Sequence, residues 1–278
     1  MASFSTPAIV LRRIEFGDYD LIVTLFTREQ GKISGIAKSA KKSVKRFPGV
    51  LEPFSLLNVV LAKGRSKSMP VLQEASLEDP FFKIREDIMS TAYASYWAEL
   101  IYLWMADGEP QDPLYRLTVH VLDALNRGET SPEILSIIFQ MRFLSLAGFR
   151  PNFDHCHACK TCLDQIRHAS VISDPSSGGI ACPTCSAIAD DWLTISKGTL
   201  KQLMWTDNGS LERAARVRFT PTAITEGLAF LEAFVPFHIG RSPKSLKVLK
   251  TVRETVGNGY SKAPPVENGY QKSNLSRK

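Results

Sequence analysis

Between residues 6 and 78 the apolar positions fall into five short runs rich in β-branched residues: TPAIVLRRI, LIVTLFTRE, GKISGIAKSA, VLEPFSLLNVVLAKG and MPVLQEASL. Turn formers part them, namely GDYD at 17–20, Gln30-Gly31, Pro48-Gly49 and Gly64. Short strands at this spacing predict a small β-barrel of the OB type. An SH3-like barrel fits the same pattern nearly as well.

After Asp79-Pro80 the period changes to that of helices. Residues 86–106, 113–128 and 131–149 carry helical spacing, the third with Ser131 as N-cap, Pro132 at the first helical position and Gly148 near its end. Helical text returns at 196–205 and at 220–240, where Thr220-Pro221 repeats the start signal. Residues 150–192 between them have little periodicity and carry the cysteines. From about Val256 the chain is rich in Gly, Pro, Asn and Lys and reads as a disordered tail. No internal repeat is visible. The expected class is therefore α+β. A barrel domain spans 1–80 and a helical domain spans 81–255, with an insert at about 150–192 and a tail at 256–278.

No apolar run reaches the ~18 residues of a membrane span. The greasiest segment, Tyr93–Ala106, is interrupted by Glu99 and reads as a buried helix. The start MASFSTPAIV has no basic, signal-like block, which predicts a cytoplasmic protein. With 44% hydrophobic and 22% charged residues, the chain can bury a core and still carry a polar surface. Its net charge of +6 and pI near 9.0 suit a polyanion partner without specifying one.

All five cysteines lie in FDHCHACKTC (153–162) and CPTC (182–185). In a reducing compartment, paired C-x2-C knuckles at this separation point to a metal rather than to disulfides. Each knuckle turn brings two thiolates within about 4 Å, and two knuckles complete a tetrahedron around Zn²⁺. Cys156/Cys159 or Cys159/Cys162 can form the first knuckle, and Cys182/Cys185 the second, with DPSSGG (174–179) as a hairpin-like return. His155, His157 and His168 are nearby spare ligands. Free thiols or a redox C-x-x-C are the alternatives, but the text lacks the βαβ setting that a redox pair needs. Four thiolates leave no open position for water, so the metal is expected to be structural.

Residues 38–67 hold Lys38, Lys41, Lys42, Lys45, Arg46, Lys63, Arg65 and Lys67 against one acid, Glu52. On an OB barrel these fall in loops flanking the face that holds single strands, where they can neutralise phosphates; a solvated face is the plainer alternative. Phe47 and Phe54 are candidates for base stacking or for core plugs. A second block, RSPKSLKVLKTVR (241–253), spaces Lys244, Lys247 and Lys250 along one helix face, with Arg241 ahead of them. There is no G-x-x-x-x-G-K-[ST], G-x-S-x-G or H-E-x-x-H. Asp190-Asp191 has no partner cluster, and His120 and His238 lie in apolar helical text. Nothing here argues for an enzyme.

The opening VLRRIEFGDYDLIVTLFTREQGKISGIAKSAKKSVKRFPGVLEPFSLL resembles the RecO family of bacterial recombination mediators, matching at Gly17, Asp20, Thr27, Gly31, Lys38, Leu51, Pro53 and Phe54. GFRPNFDHCHAC and DPSSGGIACPTC resemble the entry and exit of that family's zinc motif, and HIGRSPKSLKVL its G-x-x-x-K-S segment. Asp18 and Ser39 depart from it, standing where the family favours Glu and Gly. The resemblance implies an OB-fold, a helical domain and an inserted four-cysteine zinc element. It selects Cys156, Cys159, Cys182 and Cys185 as ligands and leaves Cys162 surplus. It implies a nucleoid-associated mediator in the bacterial cytoplasm that binds single- and double-stranded DNA and anneals complementary strands. Such a protein works with RecR, and with RecF in the RecFOR pathway, to load RecA onto DNA coated by single-stranded-DNA-binding protein (SSB). The acidic C-terminal tail of SSB is expected near Arg241, Lys244, Lys247 and Lys250. A zinc-ribbon transcription or translation factor and a metal-dependent nuclease are the rival readings.

Overall fold

A computed structural model describes residues 3–43, 45–62, 69–174, 178–186, 193–207, 209–214 and 216–259. The five N-terminal runs form strands β1 (Ser3–Phe16), β2 (Asp20–Thr27), β3 (Gly31–Ala37), β4 (Leu56–Ala62) and β5 (Val71–Asp79). They close as a barrel in the order β1-β2-β3-β5-β4. That is the five-stranded OB arrangement. The seam between β3 and β5 is thin, resting on the single parallel pair Ile36–Val71.

β1 is buried on both faces over residues 8–11. Ala8 and Val10 point into the barrel core with Val23, Leu25, Leu57 and Leu72. Ile9 and Leu11 point the other way and join the core of the helical domain, as do Phe26 and Phe54. Phe26 meets Tyr115 edge to face at 5.4 Å. A bulge between Val10 and Arg12 ends this stretch, and residues 12–16 run out with β2 as an exposed ribbon. The β2–β3 hairpin also touches the helices. Gly31 takes φ 65°, and a Cβ there would lie 2.0 Å from the Glu109 carbonyl oxygen, so a side chain has no room. Beside it Lys32 donates to the Tyr102 carbonyl at 2.9 Å and pairs with Asp107 at 3.3 Å.

The helical text resolves into α1 (Phe82–Glu86), α2 (Ile88–Trp104), α3 (Asp112–Arg127) and α4 (Pro132–Leu146). The segment expected as one helix from 86 to 106 thus begins afresh at Asp87, whose carboxylate caps α2 by accepting from the Ser90 N–H at 2.7 Å. α2 is buried nearly all round, with Tyr93, Tyr96 and Trp97 among the largest enclosed side chains. Its polar tips are met by α4: the Tyr96 hydroxyl reaches Gln140 at 3.0 Å and the Trp97 N–H reaches Ser136 at 3.2 Å.

The cysteine-bearing segment is not irregular. It forms a second sheet, β6 (Asn152–Cys156), β7 (Ser170–Asp174), β8 (Gly179–Ala181) and β9 (Leu193–Ser196), in the order β6-β8-β7-β9. The chain then returns to helices α5 (Lys197–Asp207), α6 (Leu211–Ala214), α7 (Pro221–Ile239) and α8 (Lys244–Gly259). Helix therefore extends through 256–259, where a disordered tail was expected; residues 260–278 lie outside the described set. Among the described residues no helix is long and apolar enough to cross a membrane.

α8 docks on α2 through charge. Glu99, the acid that interrupts the apolar text of α2, accepts from the Lys244 and Ser245 N–H groups at 3.1 and 2.7 Å and from the Ser245 hydroxyl. It caps a helix distant in sequence. Farther along α8, Arg253 forks onto both oxygens of the buried Glu232 at 2.5 and 2.7 Å. Burial still holds the Glu232 carboxyl above its ordinary value, against the pull of Arg253 and Lys250.

Arg253→Met is expected to cost about 3 kcal/mol near neutral pH, because it leaves a buried carboxylate uncompensated. Without the cation the folded-state pKa of Glu232 rises further above its unfolded value. A raised carboxyl stabilises the fold while it is protonated, and that contribution is lost as pH rises through the folded value. The cost of the substitution, read by urea unfolding, should therefore be smaller near about pH 5 than near neutrality. An equal cost at both would show that Glu232 is not the group responsible.

Candidate metal centre and nucleic-acid interface

The first cysteine knuckle forms where β6 ends. The Lys160 N–H bonds back to the Cys156 carbonyl at 3.0 Å, with Lys160 itself at φ 62°, and the Cys156 N–H reaches the Thr161 carbonyl at 2.9 Å. The second knuckle begins after β8, where Pro183 enters a turn closed by the Cys185 N–H on the Cys182 carbonyl at 2.9 Å. Parallel pairing of β6 with β8 brings the two together, through Asn152–Gly179 and Cys156–Ile180. A Cβ on Gly179 would sit 2.7 Å from the Asn152 carbonyl oxygen, so this approach needs glycine.

The result is four sulfurs, of Cys156, Cys159, Cys182 and Cys185, all within 4.8 Å of one another. The Cys159–Cys182 separation is 3.8 Å. A tetrahedron of thiolates about 2.3 Å from a central ion has edges of about 3.8 Å. The Cys182 N–H points at the Cys156 sulfur at 3.3 Å, a contact typical of a thiolate that also binds a metal. The thiols do not titrate alike. The Thr161 hydroxyl and N–H, with Cys156, hold Cys159 down at about 6. Cys182 and Cys159 push Cys185 up to about 12. Burial works to raise Cys156, but the N–H groups of Cys159, Cys182 and Ala158 bring it below the ordinary thiol value. Four crowded thiols resist full ionisation because each new charge meets the last; a dication at their centre removes that opposition. An all-sulfur tetrahedral donor set fits zinc or an iron–sulfur centre.

Cys162 lies outside the group of four. It is exposed, bridges to His155 and precedes a single 3-10 turn at Leu163–Gln165. None of His155, His157 and His168 joins the four sulfurs. Asp190-Asp191 falls outside the described residues. His238 sits against Phe149, Phe234 and Phe237.

The basic loop lies at one end of the barrel. Ala40–Lys42 form a 3-10 turn entered through Ser39, whose φ of 55° puts a serine in the left-handed region. Asp20 holds that turn, accepting from the Ser39 N–H at 2.7 Å and from Lys38 at 2.8 Å. The β1–β2 ribbon brings a further acid to this end, Glu15, which pairs with Lys41 at 2.8 Å, while Glu52 pairs with Arg13 of the ribbon. Lys38 and Lys41 hold the Asp20 and Glu15 carboxyls below their ordinary values, so both stay charged at neutral pH. The local positive field is therefore weaker than the one-acid count along 38–67 suggests. Exposed pairs of this kind are worth little and yield to a phosphate. Lys45 is exposed, and Arg46 donates to the Lys38 carbonyl at 2.8 Å. Lys63, Arg65 and Lys67 lie outside the described residues.

Phe47 and Phe54 are both buried, at 3% and 5% exposure, and cannot stack on a base. The exposed aromatics at this end are Phe16 and Tyr19, 50% and 46% exposed, at the tip of the β1–β2 ribbon. The Lys42 ammonium lies 3.5 Å from the centre of the Tyr19 ring, and the Lys41 N–H bonds to the Tyr19 carbonyl at 3.0 Å. The sequence signal for them was present: two aromatics flanking a Gly-Asp turn, where a core plug has nothing to fill. Between ribbon and loop lies a cleft of about 450 Å³ lined by Arg13, Glu15, Lys41, Lys42 and Phe47 among others.

In the second block, Arg241 follows the α7 C-cap, and Lys244, Lys247 and Lys250 are exposed along α8. Lys244 lines a cleft of about 620 Å³ between barrel and helices, together with Arg12, Arg13 and Arg85. Lys250 lies 3.9 Å from Glu232. Arg253 is taken up by Glu232 and does not extend the row.

Residues 1–81 match the family model described as Recombination protein O N terminal, and residues 85–247 the one described as Recombination protein O C terminal. The chain is 41% identical over 254 residues to a DNA repair protein RecO of Desulfatibacillum aliphaticivorans, covering 91% of this chain and 98% of the relative. It is 42% identical over 258 residues to that of Desulfosudis oleivorans, with 91% and 99% covered. With that of Symbiobacterium thermophilum it shares 31% over 253 residues, again with 91% and 99% covered.

Cys162→Ser should keep a full complement of metal per chain and an unchanged thermal midpoint. Cys156→Ser should lose metal and lower the midpoint by at least about 5 °C, since ligation contributes directly to folding. Elemental analysis of the two purified variants checks this. Full metal in Cys156→Ser with none in Cys162→Ser would reverse the assignment.

Proposed function

The chain belongs to the RecO family of DNA repair proteins, and from that premise we propose that it is a non-enzymatic recombination mediator. In this reading it binds single- and double-stranded DNA and anneals complementary strands. With RecR and RecF it helps load RecA onto SSB-coated DNA in the bacterial cytoplasm, at the nucleoid. The observation that carries DNA binding is the contact of exposed Tyr19 with Lys41 and Lys42 at one end of the barrel, where Phe16 on the same ribbon is also exposed. Lys38, Lys41, Lys42, Lys45 and Arg46 hold backbone phosphates, a task we assign also to Lys63, Arg65 and Lys67, while the two rings accept unstacked bases. The acidic SSB tail is taken by Arg241, Lys244, Lys247 and Lys250, whose side chains are solvent-facing.

Zinc is the ion we assign to Cys156, Cys159, Cys182 and Cys185. It is redox-inert and suits a closed tetrahedron of thiolates. Its role is structural. Held by these four thiols it would tie β6 to β8 and so steady the sheet that precedes α5. Four thiolates would leave no position on the ion for water, so it would take no part in chemistry on the strands.

Replacing Lys41, Lys42, Lys45 and Arg46 together by alanine should weaken binding to all sequences alike. It should also flatten the dependence of log K on log salt by about 0.7 per lost contact on single strands and about 0.9 on duplex. Tyr19→Ala should lower single-strand affinity by about fivefold or more and spare duplex. An annealing assay with chelator and no magnesium, in which labelled strands pair without being cut, tests the non-enzymatic reading. Strand cleavage, or an unchanged salt slope in an intact fold, would overturn the corresponding part.

A further inference from the structure

Trp205 is the most exposed large apolar side chain among the described residues, at 70%. It stands on α5, whose opposite side buries Leu200, Leu203 and Thr206. Lys201 precedes it by one turn on the same outer face, and Gly198 one turn earlier still brings no side chain to it. Facing them are Arg213, Arg216 and Val217, so that a shallow cleft of about 670 Å³ lies between.

The far wall is held in place. Arg142 on α4 donates to the carbonyls of Thr206, Gly209 and Ser210 at 2.9, 3.1 and 3.2 Å. Ala214 is fully buried, and the Arg216 and Val217 N–H groups bond back to Arg213 and Ala214. The guanidinium groups thus start from a fixed backbone, while among the described residues neither forms an ion pair. Among the described residues no carboxylate lines the cleft. Asp207, the acid nearest along α5, is occupied by Arg150 at 2.7 Å and Ser145 at 2.6 Å. Among the described residues Lys201 pairs only with the exposed Asp164, which a phosphate can displace.

We propose that this cleft is a second single-strand nucleic-acid site, separate from the barrel, in which a base stacks on Trp205 while Lys201, Arg213 and Arg216 hold the flanking phosphates. The chemistry favours a nucleic acid over an acidic peptide. Among the described residues Trp205 and Val217 are the large apolar side chains lining the cleft, so it offers a stacking shelf rather than an enclosing pocket for an apolar anchor. Every base has a π-face for such a shelf, and only unpaired bases can use it. Duplex, whose bases are already stacked, gains only the charge contacts. None of the lining residues is shared with the cleft at the barrel end.

The test measures anisotropy of fluorescein-labelled oligothymidylate and of a duplex of equal length across a salt series. The variants are Trp205→Ala, Trp205→Phe and Arg213→Ala/Arg216→Ala, each also placed in the Lys41/Lys42/Lys45/Arg46→Ala background, with metal content and thermal midpoint confirming the fold. Trp205→Ala should weaken oligothymidylate binding by about fivefold or more and leave duplex unchanged. Trp205→Phe should retain most of the affinity. The double arginine variant should flatten the single-strand salt slope by about 1.4. In the barrel-variant background, the remaining oligothymidylate binding should depend on Trp205. If that background binds nothing and Trp205→Ala alone matches the wild type, the second site falls and the barrel site stands. If the barrel variant matches the wild type while Trp205→Ala loses affinity, the reverse holds. An equal loss for duplex and oligothymidylate, or an effect of Trp205→Ala confined to an acidic peptide probe, would also overturn the proposal.

Discussion

The two-sided burial of β1 is the constraint on which the rest of the molecule depends. A strand of a small barrel ordinarily offers one face to the core and one to water. Here Ala8 and Val10 fill the barrel while Ile9 and Leu11 fill the helical core, and Phe26 and Phe54 add to the second side. Barrel and helices therefore share apolar surface that neither can expose cheaply. Gly31 pressed against Glu109, with Lys32 on Tyr102 and Asp107, adds a polar clasp at the rim. The bulge after Val10 then frees residues 12–16 from both cores, which is why the chain can present Phe16 and Tyr19 to solvent.

The helical domain is closed by its last helix through charged groups. Glu99 and Glu232 sit where apolar text predominates, and each meets α8. The backbone of a segment whose side chains suit recognition does structural duty as well. Lys244-Ser245, the end of the G-x-x-x-K-S segment, supplies the N–H groups that Glu99 accepts. Glu226 performs a similar task near the cysteine element, accepting from Ser196 and Thr199 where β9 becomes α5. The sheet that carries the cysteines is thus tied to the helices at its exit.

Periodicity and turn residues made much legible: five strands, the helix starts at Ser131 and Thr220, and the C-x2-C knuckles. The φ of 55° at Ser39 shows why glycine would suit that position, since glycine takes such a φ without cost and serine does not. What stayed hidden depends on contacts between distant positions. The second sheet was invisible because β6 to β9 are three to five residues long, too short for a period to emerge. Ser136 and Gln140 are polar yet fully buried, because Trp97 and Tyr96 bring polar tips to them, and no local pattern marks that pairing. Phe47 and Phe54 looked available because a loop address says nothing about the direction of a side chain. The neutralising acids Glu15 and Asp20 come from another strand, so no count along the basic loop could include them.

Gly179 shows how narrow the tolerance around the cysteines is. The distance between the two knuckles is set by how closely β6 and β8 approach, and at Asn152 that approach leaves no room for one extra carbon atom. A methyl group there acts as a spacer inserted between two halves of a clamp. The coordination sphere would widen without any ligand being altered, and a survey of the cysteines alone would find nothing wrong. Heritable change in the metal centre is thus open at a residue that never touches the metal, while turn glycines such as Gly17 and Gly49 have space for an added carbon and are held to glycine only by their own positive φ.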